Sequence, residues 1–175
     1  MCRLTLLSII GILSGLAAGC APRAGIVVVQ PNLTGSQREL HLTSNETHWA
    51  EGEQGGRVLI EFPLPGARTG KATYLLYLRL PRAVESKKKD HDVKPCGFFI
   101  QTRGEYAGLT DLATGTLSIR KRNRQSCQLE LNVTCDDGTR IEGKLMAKRD
   151  EHSVDHFEKQ SRPADVQNLM NQCGK

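Results

Sequence analysis

CQLELNVTCDDGTRIEGKLMA, from Cys127 to Ala147, holds two alternating runs around one turn. In an extended chain every second side chain points the same way. Cys127, Leu129, Leu131, Val133 and Cys135 therefore line one face, and Ile141, Gly143, Leu145 and Ala147 line one face of the return. A two-residue Asp137-Gly138 loop would set Val133 opposite Glu142 and mix apolar with charged positions. A three-residue loop sets Val133 opposite Ile141 and Leu129 opposite Leu145, with Gly138 at the left-handed position such a turn requires. The stretch is thus an antiparallel hairpin with one apolar face.

Upstream the same reading extends to further strands. Gly25 to Gln30 is a β-branched run stopped by Pro31-Asn32, and Glu39 to Thr43 alternates with Leu40 and Leu42 on one face. Ser44 to Gly56, around Trp49, reads as loop with at most a brief strand. Arg57 to Phe62 and Ala72 to Leu80 are strong strands, separated by Pro63-Leu64-Pro65-Gly66, which breaks any ladder. Tyr74, Leu76, Leu78 and Leu80 share one face, while Leu75, Tyr77 and Arg79 occupy the other, as in a strand covered on both sides. Arg82 to Lys94 carries a charge run and reads as solvated loop. Cys96 to Thr102 is a strand, Arg103 to Thr114 a Gly-rich connection, and Gly115 to Arg122 another strand.

Downstream of Lys148 the chain is polar until Pro163. Val166, Leu169, Met170 and Cys173 then fall at helical spacing, with Pro163 suited to a first turn and Gly174 to an end. The expected fold is mainly β: an antiparallel β-sandwich or open β-barrel of about eight strands with a short C-terminal helix. Aromatic residues make up only 5% of the chain, so the core must rest on Leu, Ile and Val.

The N-terminus supplies an address. Met1-Cys2-Arg3 is a short positive start and Leu4 to Leu16 an uncharged apolar run followed by small residues, the pattern of a secretory signal. That run is shorter than the roughly 20 residues a membrane-spanning helix needs, and no later segment supplies them. Leu16-Ala17-Ala18-Gly19-Cys20 resembles the lipobox of bacterial lipoproteins, a likeness confined to residues 1–20. The family more often has Leu three positions before the cysteine, where this chain has Ala17. The resemblance implies a diacylglyceryl group on the Cys20 sulfur, cleavage before Cys20 and acylation of the new amino end. Several acyl chains hold a protein stably on a bilayer where one holds marginally. Ala21, in place of the Asp that retains such proteins at the inner membrane, implies the outer membrane with the domain on its periplasmic face. The alternative is a secreted or periplasmic soluble chain, because Ala17-x-Gly19 also suits an ordinary signal peptidase. The organisation is then residues 1–19 signal, 20–25 lipidated tether and 26–175 one β-rich domain. Losing Arg3 with the signal lowers the formal charge from +5 to +4.

Four cysteines follow Cys20: Cys96, Cys127, Cys135 and Cys173. An even number in an exported chain reads as two disulfides. At about 3.3 Å per residue Cys127 and Cys135 lie roughly 26 Å apart on one strand, beyond the ~7 Å limit for bridged Cα atoms. If the strands beginning at Cys96, Gly115 and Cys127 form a meander, Cys96 with Cys127 is preferred, leaving Cys135 with Cys173. The crossed pairing is the alternative.

Little in the sequence carries chemistry. His152-Ser-Val-Asp155-His156 resembles the inverted zinc-protease pattern H-x-x-E-H, with Asp for Glu and no third ligand placed, so a zinc hydrolase at His152 and His156 is the remote alternative. Asp90-His91-Asp92 reads as surface, and no G-x-S-x-G nucleophile motif occurs. No catalytic residue, metal or cofactor is assigned. Arg120, Lys121, Arg122 and Arg124 sit at a tight connection with little acid nearby in sequence. They are the candidate anion site, for phosphate on lipid headgroups, lipopolysaccharide, peptidoglycan or an acidic protein. No interleaved aromatics point to nucleic acid. The expected function is a non-catalytic, lipid-anchored, periplasm-facing binding or scaffold module whose partners are the membrane, through Cys20, and an unidentified envelope protein or glycan.

Overall fold

A computed structural model describes residues 23–31, 36–53, 55–63, 72–82, 91–102 and 107–160. In chain order these form β1 (Ala24–Pro31), β2 (Gln37–Ser44), β3 (Glu46–Gly52), β4 (Gly55–Pro63), β5 (Ala72–Leu80), β6 (His91–Val93), β7 (Gly97–Gln101), β8 (Gly108–Arg122), β9 (Ser126–Cys135), β10 (Arg140–Arg149) and α1 (Glu151–Gln160).

The β9–β10 hairpin has the register its apolar pattern dictates, with Val133 opposite Ile141 and Leu129 opposite Leu145. Three residues turn the chain: the Cys135 amide donates to the Thr139 carbonyl at 2.7 Å and the Gly138 amide to the Cys135 carbonyl at 3.1 Å. Gly138 has φ 84°, which a side chain would strain. The Asp137 carboxylate secures the turn by accepting from the Thr139 amide at 2.8 Å and its hydroxyl at 3.0 Å.

From this hairpin the sheet closes. The ring of seven strands runs β10–β3–β4–β5–β7–β8–β9 and back to β10. All neighbours are antiparallel except the closing pair, where Lys148 meets His48 and Arg149 meets Trp49 in parallel. β10 changes partner along one edge: β1 occupies Arg140 to Leu145, and β3 takes over at Lys148. β2 extends β1, and β6 lies on the β8 edge further along than β7. The mainly-β class with a short helix is as expected, and of the two architectures the barrel is adopted, closed rather than open and mixed through its one parallel pair.

The interior is filled by residues whose alternation marked them, among them Ile26, Val28, Leu42, Val58, Ile60, Leu76, Leu78, Leu117, Ile119, Leu129, Leu131, Val133, Ile141 and Leu145. The core does not rest on Leu, Ile and Val alone, because Trp49, Phe62, Tyr74 and Phe99 are buried with them. A second apolar cluster lies outside the ring, where α1 covers Ala50, Leu59, Tyr77 and Phe98 with Val154 and Phe157. This explains the two apolar faces of β5: Tyr74, Leu76 and Leu78 look inward, and Tyr77 outward beneath the helix.

Four sequence expectations change. Ser44 to Gly56 is not loop but most of β3 and the start of β4. Its inward positions are Thr47, Trp49 and Glu51, too few apolar residues to give a period-two signal. The Gly-rich connection ends early, because β8 begins at Gly108, and His91–Val93 in the charge run is paired as β6. The polar stretch after Lys148 is helical from Glu151 to Gln160, whereas the helix expected over 163–174 lies outside the described residues. Among the described residues no helix is long and apolar enough to cross a membrane.

Candidate functional site

Trp49 and Arg122 close one end of the barrel. Trp49 is fully buried, its ring set against Gly56, where an added Cβ would approach the indole to under 3.0 Å. The Arg122 guanidinium lies over the ring at 5.3 Å from its centroid, a cation–π arrangement. It also donates to both oxygens of Glu51, through Nε at 2.9 Å on one side, and to the Pro81 carbonyl at 2.7 Å. A register shift between Ile119 and Lys121 turns it inward. Without that bulge Arg122 would share the outer face with Arg120. With it, Arg122 pairs with inward-facing Cys127, and its side chain is only 9% exposed.

The basic tip is therefore less cationic than its sequence suggests. Arg120 forms a two-nitrogen contact with Glu130 at 2.9 and 2.6 Å, and Lys144 reaches the other oxygen at 3.1 Å. These partners hold the Glu130 carboxyl below its usual range, the Arg120 hydrogen bond first among them. The expectation of little neutralising acid is thus corrected for Arg120 and Arg122. Their acids, Glu130 and Glu51, come from β9 and β3. Lys121 and Arg124 are exposed, and among the described residues neither has an ion-pair partner. A groove of about 500 Å³ crosses the outer face beside this tip. Arg23, Gly25, Arg120, Gln128, Glu130, Gly143, Lys144 and Met146 contribute to its lining.

On the opposite side α1 is clamped by charge. Asp150 caps it, accepting from the Ser153 amide at 3.1 Å and hydroxyl at 2.7 Å, and His48 Nδ1 lies 2.9 Å from the same carboxylate. Those contacts, with Ser153 first, hold the Asp150 carboxyl below its ordinary range. Arg57 donates to Asp155 at 2.9 Å and Glu158 at 2.7 Å, and the Tyr77 hydroxyl donates to Glu158 at 2.5 Å. Burial, then the Glu158 contact, pushes the Tyr77 phenol up. The Tyr77 ring stacks on Phe98 and Phe157 at 5.0 and 5.8 Å between centroids. His152 and His156 stack at 6.1 Å on the exposed face of this helix, whereas Asp155 faces Arg57. The motif lies within α1, yet its acid points away from the histidines. Among the described residues no third His, Cys, Asp or Glu completes a metal-holding group.

The disulfide assignment needs correction. Cys96 is disulfide-bonded, but Cys127 and Cys135 are free, buried thiols. Neither Cys96–Cys127 nor Cys135–Cys173 is present, and the crossed pairing fails with them. For Cys96–Cys127 the reason is stagger. β7 pairs with β8 over Gly108 to Asp111 and β9 with β8 over Leu112 to Arg122. Cys127, opposite Arg122, thus lies on the order of 35 Å of strand from the Cys96 end of β7. Cys127 and Cys135 also do not bond each other, as their separation along one strand requires. They serve as small apolar fillers, and burial pushes both thiols up to about 12. The partner of Cys96 lies outside the described residues, as do Cys20 and Cys173.

At the far end of β9, burial and the neighbouring Asp136 carboxylate raise the Asp111 carboxyl. Asp136 accepts from the Thr110 hydroxyl at 2.6 Å, so it ties the start of β8 to the β9–β10 turn.

The class defined by these features is a closed, mixed β-barrel with one helix clamped outside it and charged side chains sealing one end. No protein-family model, no curated protein and no solved structure matches this chain. Sequence reasoning missed Arg57, Tyr77, Glu158 and the His48–Asp150 pair, whose partners are 81 to 102 positions apart. Only the Asp150-x-x-Ser153 spacing carries a local signal, that of a helix cap.

Proposed function

We propose that this chain is a non-catalytic, lipid-anchored envelope module that works by surface binding and is held to the outer membrane through Cys20. The observation that supports surface binding is the packed interior. Leu, Ile and Val side chains together with Phe62, Tyr74 and Phe99 fill the ring, and Trp49 under Arg122 blocks one end. A barrel of this strand number holds either side chains or one small ligand, and here the side chains occupy the space. The likeness of Leu16 to Cys20 to a lipobox supports the anchor, and β1, which begins at Ala24, starts only four residues beyond Cys20.

Metabolic labelling with radioactive palmitate followed by membrane fractionation tests the anchor. Wild type is expected to carry label and sediment with the outer membrane, and Cys20→Ser to lose both. An unlabelled, soluble wild-type chain refutes the reading. Crosslinking in intact cells, with capture through the domain, then identifies the partner.

A further inference from the structure

Cations gather where the tether meets the barrel. Arg23 immediately precedes β1, and its carbonyl accepts from the Met146 amide at 2.7 Å, which places it beside the last third of β10. Ala24 is level with Leu145, Leu145 with Leu129, and Leu129 with Ile119. From one position short of this level to the end, the outward residues are Arg23 before β1, Lys144, Met146 and Lys148 on β10, Ser126, Gln128 and Glu130 on β9, and Ser118, Arg120 and Lys121 on β8. On these strands five cations face one carboxylate, with Met146 exposed among them, while across the closing pair the acids Glu46, Glu61 and Asp150 lie around His48, the partner of Lys148. Further from this end, β10 carries Glu142 on the same face. The charge is therefore graded along the strands, not spread evenly.

The groove of about 500 Å³ lies in the middle of this set. Its floor is low where Gly25, opposite Lys144, carries no side chain and leaves open space above it. Arg23, Arg120 and Lys144 line it.

We propose that this shoulder of the barrel lies against the bilayer and that its groove takes the phosphate headgroups of anionic phospholipids. The proposal rests on the Cys20 anchor reading for its orientation, because four residues from Cys20 to Ala24 span at most about 14 Å. A domain on so short a tether keeps this end within about a Debye length or two of the headgroups. There a cation is drawn to an anionic surface strongly enough to matter. Two signals, acyl chains and a basic patch, also hold a protein better than either alone. The patch would fix which way the domain faces, leaving the opposite end and α1 turned to the periplasm.

The test uses the mature chain with Cys20→Ser, so binding by the patch is read without the lipid. Cosedimentation is measured with phosphatidylcholine vesicles and with vesicles containing about one-third phosphatidylglycerol. Preferential binding to the anionic vesicles, lost at high salt, is expected. Arg23→Gln, Lys144→Gln and Lys148→Gln together are expected to weaken it on the order of 100-fold, about fivefold for each cation. The control neutralises Arg38, Arg140 and Lys159 to glutamine, removing equal charge away from the shoulder; it should retain most of the binding. Equal binding to both vesicle types, or equal loss in the two triple variants, overturns the proposal. Circular dichroism establishes that each variant is folded. Palmitate labelling of the wild type is scored separately, so a failed anchor and a failed patch give different results.

Discussion

Gly56→Ala would drive a methyl group into the indole of Trp49. The new Cβ would lie under 3.0 Å from two ring carbons, where ordinary contact is 3.4–4 Å. Neither side can yield easily. Gly56 is held between Glu51 and Leu80 in two ladders, and Trp49 is fully buried beneath Arg122. Overpacking a filled core costs about 1–3 kcal/mol. With both partners pinned we expect the upper end, about 3 kcal/mol, a large share of the roughly 5–15 kcal/mol that holds a domain folded. The chain has one tryptophan, so its own fluorescence reports the site during urea unfolding. The midpoint is expected to fall and native emission to shift red as the indole is displaced. Trp49→Leu should remove the clash, so the two substitutions combined should cost at least ~1 kcal/mol less than their sum, followed by circular dichroism. A Gly56→Ala protein within about 0.5 kcal/mol of wild type with unchanged emission, or strict additivity, would refute this account of the plug.

Alkaline titration should expose the helix clamp. The Tyr77 phenol is held above its ordinary value near 10, so the unfolded chain ionises first. The clamp's contribution is complete below about pH 10 and lost as pH rises further. Wild-type stability should therefore fall more steeply above pH 10 than that of Tyr77→Phe; parallel curves would contradict the clamp. Cys127 and Cys135 should resist iodoacetamide at pH 8 in the native protein and react in guanidinium, because burial keeps both thiols protonated. Mass spectrometry finding either in a native disulfide would overturn that. Asp150→Ala should cost about 1 kcal/mol through loss of the α1 cap, seen as faster amide exchange in α1, with Asp150→Asn nearer wild type. Because the Asp150 carboxyl is held low, its contribution is present above about pH 4 and fades as pH falls through the folded value; exchange in Asp150→Ala that is no faster than wild type at pH 7 would contradict the cap.

What could be read from the sequence was local. The β9–β10 register and its three-residue turn followed from period two and one glycine, and the inward set of β5 followed the same way. Trp49 was misjudged because β3 turns inward a buried threonine, a buried tryptophan and an exposed, ion-paired glutamate, and those residues are held by distant partners. Arg122 was misjudged because one extra residue in β8 reverses which way it points, and alternation alone does not locate a bulge. The cysteines were misjudged by parity: counting assigned two bridges, while the stagger of β7 and β9 along β8 keeps Cys127 remote from Cys96. The acids that neutralise Arg120 and Arg122 lie on β9 and β3, and only closure of the ring brings Glu51 to Arg122.

The closing pair has a consequence for how the chain is made. Thr47 on β3 bonds the Met146 carbonyl 99 positions later, and β1 finds its second neighbour only in β10. During vectorial synthesis or passage through a pore, β3–β4–β5 and β8–β9 can each form from nearby residues, but the ring stays open until Arg149 has emerged. Contacts of such long range slow folding and leave unpaired edges exposed meanwhile. Nascent chains truncated before Arg140 should be cut throughout by protease, and chains extended past Arg149 should resist; protection appearing earlier would place closure elsewhere. A fold that shuts last at its own tail stays threadable for most of its length.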